Sequence, residues 1–188
     1  MPCIHTFSPH ESWPTDVIFP PFPHPHQSRI AEIKTGSENL FGFDGVWTSN
    51  KNFSLAVATA DCAPIVFYTS EKIGIVHVGW RGLLNGIITN MKEIFSAENP
   101  KIFIGPILPR FEIQKDHAYK KLFQRYGDRF FIPSSGKIFF DFQSAIALEL
   151  PNATFDPRST FDDLSLASWR RDENSNRNLT VVSMQARV

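Results

Sequence analysis

The chain is predicted to fold as one α+β domain, a mixed or antiparallel β-sheet covered by helices. Three observations carry that expectation. Two apolar runs rich in β-forming residues, Val57 to Tyr68 and Ile73 to Val78, are separated only by a short polar turn at Ser70-Glu71-Lys72. A Gly-punctuated turn then opens a stretch in which Leu83, Leu84, Ile87, Ile88, Met91, Ile94 and Phe95 recur at helical intervals. Strand-like and helix-like segments alternate from there to the C-terminus, as suits layers packed around a single core.

At 188 residues the chain is long enough to bury a sizeable core as one domain. Lys+Arg and Asp+Glu balance at 19 each, so no strong field favours nucleic acid or an anionic membrane surface. Phe is common, at 18, and is expected to fill the core and wall a pocket. With only Cys3 and Cys62 there is no disulfide framework, which suits a reducing interior. No apolar run reaches membrane-spanning length and no basic region precedes an apolar core at the N-terminus, so the expected location is the cytoplasm.

In chain order, residues 1–25 hold seven of the fourteen prolines and read as an extended, wrapped arm with one short strand; residues 26–188 read as the domain proper. Gly42, Asp44 and Gly45 signal a turn before Val46-Trp47-Thr48. Asp61 and Cys62 then interrupt the first apolar run, and His77 interrupts the second. Pairing the two runs antiparallel places Cys62 near His77. A thiol and an imidazole so placed can share a metal ion or act as nucleophile and base. The turn Gly79-Trp80-Arg81-Gly82 permits close backbone approach. Arg81 there can meet an anion or brace the turn against Trp80. Lys101 to Ile104 reads as a third core strand, Asp116 to Tyr126 as a helix with His117 on its polar side, and Lys137 to Phe140 as a strand entering a helix that Asp141 caps. Thr180 to Met184 closes the sheet. There is no phosphate-binding P-loop, dinucleotide fingerprint or internal repeat.

The motifs TADCAPIVFY and VHVGWRGLLNGI, with Asp44-Gly45, Ile104-Gly105-Pro106, Phe111-Glu112-Ile113 and FDDLSLASWRRD, resemble the YfiH-type laccase-domain family, also described as polyphenol oxidases or purine nucleoside phosphorylases. The resemblance runs from about His26 to the C-terminus and implies the same α+β fold. It also implies that Cys62 and His77 are metal ligands with a third His from upstream. His26 fits that role best, while the family's flanking Gln and Gly are missing and His24 stands as the substitute. Also implied are Zn²⁺ as cofactor with copper as an alternative, and a nucleoside and phosphate as partners. The reaction would be adenosine phosphorolysis, with deamination of the base as a related activity. On that reading Asp61 joins Cys62 and His77 as a catalytic or ligand-orienting residue, and Arg81, Arg170 and Asp44 serve the substrate or phosphate, Asp44 by ordering the loop near the site through backbone amides or as a plain turn residue, with Arg171 competing with Arg170 for the pocket. Three other readings stay open. Copper-dependent phenol oxidation is disfavoured as a multicopper reaction by a total of six His. A metal-free Cys/His hydrolase acting on cell-wall precursors would leave His26 without a role. A non-catalytic interaction module is the last.

Overall fold

A computed structural model describes residues 2–185. Its strands are β1 (Cys3–Phe7), β2 (Val17–Ile18), β3 (Ile30–Glu32), β4 (Gly45–Thr48), β5 (Ser54–Thr59), β6 (Ala63–Tyr68), β7 (Ile73–Val78), β8 (Lys101–Ile104), β9 (Arg110–Glu112), β10 (Phe131–Ser134), β11 (Lys137–Asp141), β12 (Thr154–Phe155) and β13 (Asn178–Ser183). The helices are α1 (Trp80–Leu84), α2 (Ile87–Ile94), α3 (His117–Tyr126), α4 (Phe142–Glu149) and α5 (Trp169–Asp172). A six-stranded mixed sheet has the order β12-β8-β6-β7-β4-β3, a four-stranded sheet β1-β13-β5-β2, and a small sheet β10-β11-β9. The α+β class is as expected.

The alternation of side chains along β6 and β7 decides where chemistry can sit. These strands pair antiparallel, with Ile65 opposite Val76 and Pro64 opposite His77. Ala63, Ile65, Phe67, Val76 and Val78 face the helices, where they pack with Leu83, Ile87, Met91 and Phe95. Val66, Ile73 and Ile75 point the other way, toward Leu55, Val57 and Val182 of the four-stranded sheet. His77 continues the Ile73-Ile75 series. It therefore stands in the inter-sheet layer, at the end of β7.

Several elements differ from the sequence expectation. The apolar run from Val57 to Tyr68 is two strands in different sheets, because the chain turns a corner at Ala60-Asp61-Cys62 with Asp61 at φ 79°. The expected single helix after Gly79 is two, broken at Gly86 with φ 82°, a left-handed conformation that glycine adopts without strain. The Pro-rich segment supplies two strands: β1 pairs with β13 and β2 with β5, so Cys3 lies exposed on a strand. The strand at Lys137 proves to be half of a hairpin whose turn, Ser135-Gly136, has positive φ at both positions. Asp141 caps α4 through the Ser144 amide at 3.0 Å, and His117 is exposed, as read from the sequence.

Candidate functional site

Where the inter-sheet layer ends, a cavity of about 370 Å³ opens. His24, His26, Asp61, Cys62, His77, Arg81 and Arg170 all line it, between aromatic walls that include Phe22, Phe111, Phe142 and Trp169. Residues from six stretches of chain meet there.

Asp44 is not among the lining residues; it is the keystone beneath them. Buried at 1% exposure, it accepts the backbone amides of His26 and Ser28, one on each carboxylate oxygen, at 2.7 Å each. Its own carbonyl accepts the His77 amide at 2.8 Å. The loop so held has positive φ at both His26 (57°) and Ser28 (62°), a strained backbone for non-glycine residues that needs such support. From the other side, Asn85 and Asn90 donate to the carbonyls of His26 and Ser28, both at 2.8 Å. One carboxylate thus sets the loop bearing His26 in register with the strand bearing His77.

Three imidazoles gather above it. His24 stacks on His77 at 4.2 Å between ring centroids, and His26 lies tilted against His77 at 5.0 Å. His24 Nε2 donates to the Ala58 carbonyl at 3.1 Å, which fixes its tautomer, since a carbonyl only accepts. Nδ1 of His24, of His26 and of His77 are all buried without a hydrogen-bond partner. Burial holds all three rings below the usual imidazole pKa; for His77 the fall is large, and neighbouring His24 and His26 add to it. The rings are therefore neutral and carry lone pairs. One donor atom each from His24, Asp44 and His77 lies within 4.8 Å of the others.

Cys62 reaches the same cavity from the β5–β6 corner. A Cβ on Gly79 would lie 3.0 Å from its Sγ and 3.2 Å from Cε1 of His26, so only glycine leaves room for both side chains at this point. Burial of the sulfur pushes the thiol up to about 12, and the Asp61 charge adds to the shift. The Asp61 carboxylate accepts the Thr160 hydroxyl at 2.7 Å and the Arg170 amide at 2.8 Å, tying the corner to the C-terminal segment.

The arginines separate into distinct roles. Arg81 is exposed, stacks 4.7 Å over Trp80 and has no ion-pair partner among the described residues. Arg170 lines the cavity, with Nη1 donating to the Glu112 carbonyl and the guanidinium over Phe111. Arg171 points elsewhere, bound to Asp172 and to the carbonyls of Thr160 and Phe161, so it serves as a clamp. Sequence reading missed Arg177, which lines the cavity over Phe22 at 4.1 Å. It also missed Asn85 and Asn90. Nothing local in the sequence marks these three, because their partners are far along the chain.

Neutral imidazoles with buried, unpartnered lone pairs beside a thiol, in a space that a single methyl would fill, are a donor set suited to zinc or copper. Residues 22–185 match the family model described as multi-copper polyphenol oxidoreductase laccase, and the chain belongs to that laccase-domain family. It is 32% identical over 167 residues to a purine nucleoside phosphorylase of Aquifex aeolicus, covering 84% of this chain and 78% of that protein. It is 33% identical over 135 residues to the purine nucleoside phosphorylase RP494 of Rickettsia prowazekii, spanning 56% of that protein. Among solved structures, the fold resembles Bacillus licheniformis hypothetical protein YfiH (TM-score 0.76, 22% identity) and Neisseria meningitidis protein NMB0706 (TM-score 0.79, 20% identity). Each covers 90% of this chain, which in turn covers 74% and 75% of theirs. No helix among the described residues is long and apolar enough to cross a membrane.

Proposed function

We propose that this chain is a cytoplasmic, zinc-dependent enzyme that cleaves purine nucleosides with phosphate, adenosine first among them. The observation that supports it best is the cluster of unpartnered ring nitrogens facing a cavity that also holds Cys62 and Arg81. His26, Cys62 and His77 would hold the ion, which supplies a Lewis acid to the bound nucleoside. The remaining work falls to the protein. Phe111, Phe142 and Trp169 offer faces for a purine. Arg81, with no ion-pair partner among the described residues, binds the phosphate and holds it for attack on the sugar C1′, with Arg170 as the second cation. As the C1′–N9 bond breaks, the proton released from the attacking dihydrogen phosphate passes to the departing base, while the Asp61 carboxylate, accepting from Thr160 and the Arg170 amide, holds the Cys62 corner and the Arg170 segment in place. Adenosine and phosphate thereby yield adenine and ribose 1-phosphate.

The test is elemental analysis of protein purified without added metal, followed by chromatography of adenosine incubated with and without phosphate. Adenine formed only with phosphate supports the reading, whereas inosine formed without it assigns the site to deamination. Cys62→Ala and His77→Ala should lose metal and turnover together with the fold retained; an active Cys62→Ala enzyme would sink the proposal.

A further inference from the structure

We infer that Arg177 is a phosphate-binding residue of this site, joining Arg81 and Arg170 around one tetrahedral oxyanion. The inference rests on the phosphorolytic reading above, to which it adds a residue. Three arginines line the cavity against a single carboxylate, that of Asp61, whose oxygens already accept the Thr160 hydroxyl and the Arg170 amide. The lining is therefore in positive excess and calls for an anion from outside. Arg177 is the least exposed of the three: Arg81 and Arg170 are exposed, whereas Arg177 is half-buried. Its guanidinium lies 4.1 Å from the centre of the Phe22 ring and 5.6 Å from that of Trp169, and burial disfavours its charge there. Holding a cation in such a place without an ion-pair partner among the described residues is costly, and a bound anion would offset the cost. Nη1 donates to the carbonyls of Asn174 and Asn176, which fixes the fork, while Nε and Nη2 bond to no described residue. The edge left open carries two parallel N–H groups, the arrangement that suits two oxygens of a phosphate. The charge of Arg177 bears on Cys62 more than that of Arg170 or Arg81 does, and it bears on His77, whereas that of Arg81 bears on His26. The two cations thus approach different imidazoles and can close on one anion. A brace between Phe22 and Trp169 accounts for the ring contacts but not for an open bidentate edge on a side chain that lines the cavity.

The experiment uses the full chain as purified, with inorganic phosphate as the probe. Isothermal titration in low-salt buffer gives the affinity, and initial rates at varied phosphate and varied adenosine give the two KM values separately. Arg177→Gln should bind phosphate at least about tenfold more weakly. Its KM for phosphate should rise as much, while that for adenosine stays. Arg177→Lys keeps a cation over Phe22, and with it any brace, and should recover part of the phosphate affinity, since an ammonium lacks the paired N–H groups. Wild-type phosphate affinity in both variants overturns the inference and leaves the phosphate to Arg81 and Arg170. Equal losses for phosphate and adenosine with a lowered thermal melt make Arg177 a brace, and also overturn it. A wild-type chain that binds no phosphate overturns the inference and the proposed reaction together. Phosphate binding that depends on Arg177, in a protein that does not cleave adenosine, supports the inference and removes the reaction.

Discussion

Gly79→Ala isolates the geometry of the site from its chemistry, because it alters no donor. The added methyl would lie 3.0 Å from Cys62 Sγ and 3.2 Å from His26 Cε1, both tighter than van der Waals contact. Backbone strain is not at issue, since Gly79 has φ −95°. The sulfur and the ring must each shift by a few tenths of an ångström. Overpacking of this kind costs about 1–3 kcal/mol, and the reduced entropy of the unfolded chain returns about 0.4–1 kcal/mol. The net loss is about 1 kcal/mol, which lowers the melting temperature by about 2–4 °C in a chain of this size. Ligand displacement should cost more than stability does, because donors held out of position typically lose about 10–100-fold in metal affinity. Zinc affinity by chelator competition, read beside a thermal melt of metal-free protein, separates the two effects. Gly82→Ala is the control, its Cβ meeting Ile87 only at 3.4 Å. Wild-type zinc affinity in Gly79→Ala would refute the placement of Cys62 and His26 as joint donors.

Asp44→Ala leaves two amides without an acceptor in a strained loop, a loss of about 4 kcal/mol in urea denaturation, and Asn at this position should recover part of it. Arg171→Ala removes the clamp on the carbonyls of Thr160 and Phe161 and should cost about 2–4 kcal/mol; Lys should not rescue it, since one ammonium cannot span those acceptors. The metal-free protein should lose stability as pH falls below about 6.5, the imidazole pKa of the unfolded chain. The sign follows from burial: His24, His26 and His77 have lower pKa values folded than unfolded, so the unfolded chain takes up protons first. Denaturation midpoints that stay flat between pH 7 and 5 would count against neutral, buried rings.

The fold was legible where local pattern and final environment agree. The antiparallel pairing of β6 with β7 followed from their composition and short connection, and with it the approach of Cys62 to His77. The site was legible for residues embedded in those strands and turns. The β5–β6 corner was not, because an apolar run carries no mark of which sheet each half joins; only Asp61's positive φ and its distant partners Thr160 and Arg170 reveal the change. Asp44 was legible as a residue that orders a loop through backbone amides, but not which amides, because those of His26 and Ser28 lie on a loop eighteen and sixteen residues earlier. His24 was harder still. Proline on both sides placed it in an extended arm with no mark of burial, whereas the ring is buried by stacking on a strand far along the chain.

The His77 position at the open end of the inter-sheet layer has a mechanical consequence. β7 belongs to one sheet, the Ala58 carbonyl that orients His24 belongs to the other, and Cys62 sits on the link between them. On the metal reading proposed above, an ion held by Cys62 and His77 would act as a rivet through both layers. Its removal should free the rim of the sandwich first, so amide exchange at the ends of β5 and β7 would report metal loss before the rest of the protein loosens.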